Sequence, residues 1–464
     1  MLKLFQQWFG KQWFGMPLLS LISACFTRSL CPLLVVFCSC PSLYSQPAAD
    51  TTSHPSPTSL AQSIRHAQGK EIHILYIHGI GSDGPDDFDS LTLRKSICDY
   101  LKDCTTPAGT AIGPWDYADQ GEFQIDAPVP QLMYMDDPVW KNAEEWRAAA
   151  PYAVHWQLAR SGKPPVYVDA LNWWPLAFAL KCRQIVAADA ELVAPSKPRI
   201  ELCSRLQPNP DVPLRFKSYD WISKDQATRL LKLPSQGARV NRNLKNGLMD
   251  WGFSDAVMAL GPLRPHIQNA LRQLILKSLA DSSKSQAADP AHPPADREFI
   301  IVTHSLGSYL IFSALDIDSS LNNSADLQSS SGTFEQILAR TPLVYFFANQ
   351  VRLLELASLD HANEKNLVTH LESWGKIRCD YLKSLPGSTQ VCQPPRIIAL
   401  NDPSDLLTWT IPPLPNVEVK NVTVKNGPRW LGLIENPTQA HSNYARDKRV
   451  IQEMIREDSE AEKQ

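Results

Sequence analysis

The stretch Arg297–Leu310, R-E-F-I-I-V-T-H-S-L-G-S-Y-L, constrains the fold more than any other part of the chain. Phe299–Val302 is a continuous apolar run rich in β-branched residues, the pattern of a strand buried on both faces. Thr303-His304-Ser305-Leu306-Gly307 then turns sharply, and Ser308–Leu315 resumes as an apolar helix. A buried strand that passes through a tight turn into a helix belongs to an α/β layer arrangement, with the turn at the carboxyl edge of a parallel sheet. The turn lifts the Ser305 hydroxyl above that edge, and the first helical amides face whatever lies opposite it.

Other stretches repeat the pattern. Glu71–His78, Val166–Leu171, Leu343–Ala348, Arg396–Leu400 and Val417–Val424 read as further buried strands. Between them, Phe88–Leu101, the segment from Asn172 to about Leu192, Asn241–Leu260 and Pro262–Leu279 read as helices. Strands alternating with helices predict a mostly parallel sheet flanked by helices, in one domain over 71–455. Two Pro-rich insertions interrupt it, at about 105–165, where aromatic residues are also frequent, and at 195–236. Ser282–Asp296 reads as a polar linker and 456–464 as a polar tail. Trp173, Trp174, Leu176 and Phe178 fit either a lipid-facing lid or, preferably, a helix packed on the sheet.

The N-terminus differs in kind. Residues 1–45 contain no Asp or Glu and only Lys3, Lys11 and Arg28 as cations, followed by an apolar run from Ser29 to Cys40. That run is shorter than the roughly 20 residues a bilayer span needs but suits a signal-peptide core. Leu43-Tyr44-Ser45 then supplies a cleavage site, and a retained anchor is the alternative. Gln46–Gln68, rich in Pro, Ser, Thr and Ala, reads as a linker within 46–70. Four of the ten cysteines lie in the leader. The other six fall as Cys98/Cys104, Cys182/Cys203 and Cys379/Cys392, neighbouring pairs that favour disulfides in an exported chain. No zinc-like cysteine or histidine spacing is present, so neither a metal nor a cofactor is expected. A net charge of −3 with no Lys/Arg cluster argues against a nucleic-acid partner.

The turn around Ser305 resembles the G-x-S-x-G nucleophile elbow of the α/β-hydrolase family, with Thr303 in place of the first Gly. A second resemblance is the strand ending His78-Gly79, followed by Ile80-Gly81-Ser82-Asp83-Gly84. In that family this loop supplies one oxyanion amide, here Ile80 or Gly81, and the residue after the nucleophile supplies the other, here Leu306. Glycine suits such a loop because the backbone comes close to the substrate. His78 is expected to hold the loop rather than act as a base. The family's chain order, Ser then acid then His, selects the remaining residues. Of His361, His370 and His441, only His441 follows the last expected strand. Beyond Arg396–Leu400 stand Asp402 and Asp405. Asp405 heads an acid-then-apolar segment and is the favoured acid, while Asp402, before Pro403, more naturally braces the turn.

The resemblance implies a serine esterase or lipase-like hydrolase with Ser305, Asp405 and His441 as its triad, and the leader and cysteine usage make it an exported one, periplasmic or extracellular. Its partner is a small-molecule or lipid ester, with membrane contact through the N-terminal segment or a lid. An acyltransferase on the same fold and a non-catalytic binding protein are the alternatives.

Overall fold

The computed structural model describes residues 57–67, 70–80, 96–100, 102, 122–124, 151–160, 163–181, 252–261, 263–286, 297–315, 331–355, 367–385, 392–426, 429–430, 434–435 and 437–456. Its elements begin with α1 (Leu60–His66), β1 (Glu71–Ile77), β2 (Glu122–Gln124), β3 (Tyr152–Arg160), β4 (Lys163–Asn172) and α2 (Trp174–Lys181). Next come α3 (Ser254–Leu260), α4 (Arg264–Gln286), β5 (Arg297–His304), α5 (Gly307–Leu315), α6 (Ser331–Ala339) and β6 (Leu343–Phe347). The chain continues through α7 (Val351–Glu355), α8 (Leu367–Ser384), β7 (Arg396–Asn401) and β8 (Glu418–Thr423). It closes with β9 (Arg429–Trp430), β10 (Ile434–Glu435), α9 (Pro437–Ser442) and α10 (Lys448–Ile455).

Eight strands form one sheet in the order β2-β3-β4-β1-β5-β6-β7-β8. From β4 to β8 every neighbouring pair is parallel, whereas β3 is antiparallel to β4 and β2 to β3. The apolar strands alternate their side chains between two cores. Leu75, Ile77, Phe299, Ile301, Val344 and Phe346 face α4, α5 and α8. Ile72, Ile74, Tyr76, Ile300, Val302 and Tyr345 face α1 and α10. A strand buried on both sides needs a continuous apolar sequence, which is why β1, β5, β6 and β7 are legible as runs rather than as alternation. On α10, Val450, Ile451, Met454 and Ile455 are buried at helical spacing, each contributing about 1.5–3 kcal/mol. The Tyr345 hydroxyl donates to the Met454 carbonyl at 2.8 Å and ties that helix to the sheet.

Three expectations are corrected. The supposed linker Gln46–Gln68 contains α1, where Leu60, Ala61 and Ile64 are buried and Ser59 caps the N-terminus through the Gln62 amide. The insertion at 105–165 is not irregular throughout: Tyr152, Trp156 and Leu158 of β3 alternate into the core and extend the sheet. The linker Ser282–Asp296 begins later than expected, because α4 runs on to Gln286.

Trp173, Trp174 and Leu176 are core residues, and the Trp173 indole donates to the His78 carbonyl at 3.3 Å. A lid role for these three side chains is therefore set aside, while the Phe178 side chain lies outside the described residues. Residues 96–100 of the expected helix Phe88–Leu101 are helical. Residues 1–45, the insertion 195–236 and the tail beyond Arg456 lie outside the described residues. Cys379 and Cys392 form a disulfide. Cys98 is also disulfide-bonded. Cys104, Cys182 and Cys203 lie outside the described residues. Among the described residues no helix is long and apolar enough to cross a membrane.

Candidate active site

The site is assembled at the carboxyl ends of β1, β5 and β7. Ser305 follows the last residue of β5 and has φ of +54°, a left-handed conformation that costs a non-glycine residue roughly 1–2 kcal/mol. Its surroundings hold it there. The Ser305 amide donates to the Phe347 carbonyl at 2.8 Å, and the Ser308 hydroxyl donates to the Ser305 carbonyl at 2.9 Å. Two glycines let the backbones close on the turn. A Cβ at Gly79 would lie 2.5 Å from Ser305 Cβ, and one at Gly307 would lie 2.6 Å from the Ile77 carbonyl oxygen. Thr303, bulkier than the glycine of the resembled motif, is accommodated inside β5 with its hydroxyl 3.4 Å from the Tyr345 carbonyl.

His441, on α9, reaches Ser305 from 136 residues away. Its Nε2 lies 3.1 Å from Ser305 Oγ. Its Nδ1 lies 3.0 Å from each carboxylate oxygen of Asp405. An ionised carboxylate only accepts, so Nδ1 carries the proton and Nε2 is left to accept from the serine hydroxyl. Asp405 is buried, and it is held by the Leu407 amide at 2.9 Å and the Tyr444 hydroxyl at 3.2 Å. Burial, then the charge of Asp405, raises the Tyr444 pKa, so the phenol remains a donor.

Among the described residues, Asp402 makes no hydrogen bond to His441. It caps the Ser404 and Asn426 amides at 2.8 and 2.7 Å, and its own amide donates to the Tyr444 hydroxyl at 2.7 Å. Asn426 in turn donates to the Ala440 carbonyl at 2.8 Å, immediately before His441. Asn349, at the end of β6, donates to Asn401 Oδ1 at 2.8 Å and to the Trp409 carbonyl at 2.6 Å, bracing the acid turn from the other side. Tyr444 bridges the two carboxylate-bearing positions through one hydroxyl.

On the opposite side, Leu306 immediately precedes α5 and Ile80 follows Gly79, so both adjoin the turn that carries Ser305. Gly81 lies outside the described residues. His78 is buried, its Nδ1 donating to the Gly79 carbonyl at 2.9 Å and its ring parallel to Trp173 at 5.5 Å. Burial pushes its pKa down to about 4, so it is neutral and built into the loop's support. His370 is buried on α8, and His361 lies outside the described residues. Among the described residues no group of histidine, cysteine and acidic side chains could hold a metal ion.

An imidazole hydrogen-bonded on one side to a buried carboxylate and on the other to a hydroxyl can take that hydroxyl's proton as the oxygen attacks an electrophile. Sequence reasoning named Ser305, Asp405 and His441, and the structure brings the three together. It missed Tyr444, Asn426, Asn349 and His304. Only Tyr444, three residues beyond His441 along the chain, left a local signal. Compared with protein-family models, with curated proteins and with solved structures, the chain matches none.

Proposed function

We propose that this protein is a serine hydrolase of the α/β-hydrolase type that cleaves carboxylic esters, and that it is exported. One observation carries the reading: a single imidazole lies within hydrogen-bond distance of Ser305 Oγ at 3.1 Å and of the Asp405 carboxylate at 3.0 Å. Ser305 attacks the acyl carbonyl while His441 Nε2 takes its proton. Asp405 fixes the tautomer and stabilises the imidazolium that forms. The Leu306 amide, with that of Ile80 or Gly81, holds the oxyanion. His441 then returns the proton to the leaving alcohol, and water repeats the cycle to release the acid.

Left-handed strain at Ser305 supports the same reading, because a residue kept in that conformation presents its side chain away from both strand and helix. The apolar N-terminal segment and the Cys379–Cys392 disulfide support export to an oxidising compartment.

The test is covalent labelling with a fluorophosphonate probe, alongside hydrolysis of p-nitrophenyl esters of increasing chain length. Wild type should be labelled on Ser305 and should turn over esters, and Ser305→Ala should do neither. A wild type that stays unlabelled with a correctly folded site ends the hydrolase reading. Labelling without ester turnover, restored by an added acceptor alcohol, would redirect it to acyl transfer.

A further inference from the structure

His304 lies one residue before Ser305, yet its side chain turns to the opposite partner of the array. Its Nε2 is 2.7 Å from the backbone carbonyl of His441. A carbonyl can only accept, so Nε2 carries the proton and donates. The ring sits 5.2 Å from the His441 ring and 6.0 Å from the Tyr444 ring, between the end of β5 and the turn after α9. Tyr444 stacks in turn on Phe347, the β6 partner of His304, at 6.1 Å. One imidazole thus spans from the backbone of the serine turn to the backbone of the residue whose ring must meet that serine.

This arrangement has two consequences. The first is mechanical. The loop carrying His441 is otherwise tied down through Asp405 and through Asn426 at the Ala440 carbonyl, both of which belong to the β7–β8 side of the site. His304 ties that loop to β5 itself, so it sets the Oγ–Nε2 separation rather than the ring's rotation. The second is electrostatic. A cation at this position would oppose formation of the His441 imidazolium. Burial first, and then the neighbouring His441, hold the His304 pKa down to about 3, so the ring is uncharged at working pH. Of the titratable groups that face it, Asp405 raises its pKa, whereas His78, like His441, lowers it.

We propose that His304 is a positioning residue that latches the His441 backbone to the serine turn as a neutral hydrogen-bond donor. The proposal rests on the hydrolase reading for its kinetic consequence, and on the hydrogen bond alone for its structural one.

Two variants separate donor from bulk. His304→Phe keeps a ring and loses the donor. His304→Gln places an amide nitrogen at about the reach of the imidazole Nε2 and restores the donor without a charge. Ester hydrolysis by His304→Phe should lose kcat by about 10- to 100-fold with KM nearly unchanged, because a displaced base affects the chemical step more than binding. The acid limb of its pH profile should stay in place, and His304→Gln should recover most of the lost rate. Hydrogen exchange over residues 437–446 reads the latch independently of turnover. Protection there should fall in His304→Phe and return in His304→Gln, whether or not Ser305 is a nucleophile. Equal exchange and equal kcat in wild type and His304→Phe would overturn the proposal. Loss of kcat in both variants alike would overturn it too, since bulk or ring shape would then be responsible. A wild type that shows neither labelling nor turnover would end the hydrolase reading while leaving the latch to be decided by exchange.

Discussion

Gly79→Ala puts the geometry of the site under the most direct stress. The added methyl would lie 2.5 Å from Ser305 Cβ, 2.8 Å from the His304 carbonyl oxygen and 3.1 Å from Ser305 Oγ. Carbon atoms pack best at about 3.5–4.0 Å, so the first contact alone is too short by about 1 Å. Neither Ser305 Cβ nor the His304 carbonyl is the free end of a flexible side chain, so no rotamer change relieves the overlap. The ends of β1 and β5 must separate instead, although Ile77 is paired with Thr303 there and Gly307 packs directly on the Ile77 carbonyl. Overpacking of this kind costs about 1–3 kcal/mol of stability. Moving Ser305 about 1 Å from its place costs roughly 100-fold in rate. The measurements are the fluorophosphonate labelling rate and kcat for a p-nitrophenyl ester, with a urea titration to read stability. The expected result is a rate lowered about 100-fold in a protein that still folds, with a lower urea midpoint at an unchanged slope. A variant with wild-type labelling and an unchanged midpoint would refute the reasoning, because the methyl would then have found space that the packing denies it.

The remaining predictions concern the carboxylate and the pH dependence of stability. Asp405→Asn removes the group that holds the proton on His441 Nδ1 and should lower kcat by about 10⁴-fold, measured on the same ester. A loss of less than about tenfold would show that Asp405 does not set the tautomer. On the far side of the sheet from α10, His73 is fully buried, with Nε2 3.6 Å from Glu71 and Nδ1 3.6 Å from Asp169. Burial alone would lower its pKa, but the two carboxylates outweigh burial and the opposing Arg297, and the folded value is raised. A raised folded pKa stabilises fully below the unfolded value of about 6.5 and is lost as pH rises through the folded value. The stability advantage of wild type over His73→Gln, from urea titrations, should therefore shrink as pH rises above about 6.5. A constant difference across that range would show that His73 is not charged in the folded protein.

Much of the sheet was readable before any coordinates, because a strand buried on both faces leaves an apolar run of a few residues that needs no partner to be recognised. Phe299–Val302, Leu343–Phe347 and Ile397–Leu400 are of that kind. β3 was missed although Tyr152, Trp156 and Leu158 alternate, since the surrounding proline-rich sequence obscured a strand whose place depends on pairing with β4. α1 was missed because seven residues within a polar segment carry too few apolar positions to show a period. Glycine after β1 was read as letting the backbone come close to a substrate, and the structure gives Gly79 a further cause: no side chain fits between it and Ser305.

The sequence by itself determined the strand-turn-helix at Ser305, the alternation of buried strands with helices, and the chain order of serine, acid and histidine. These are properties of short windows and of order along the chain, and they survive without three-dimensional information. Only the tertiary structure decided that Asp405 and not Asp402 faces His441, that Tyr444 serves both, and that His304 grips the His441 backbone. Those choices depend on the parallel register that brings the ends of β5, β6 and β7 to one edge. Contacts across 136 residues are set by that register to within an ångström, and no local pattern of side chains encodes a distance.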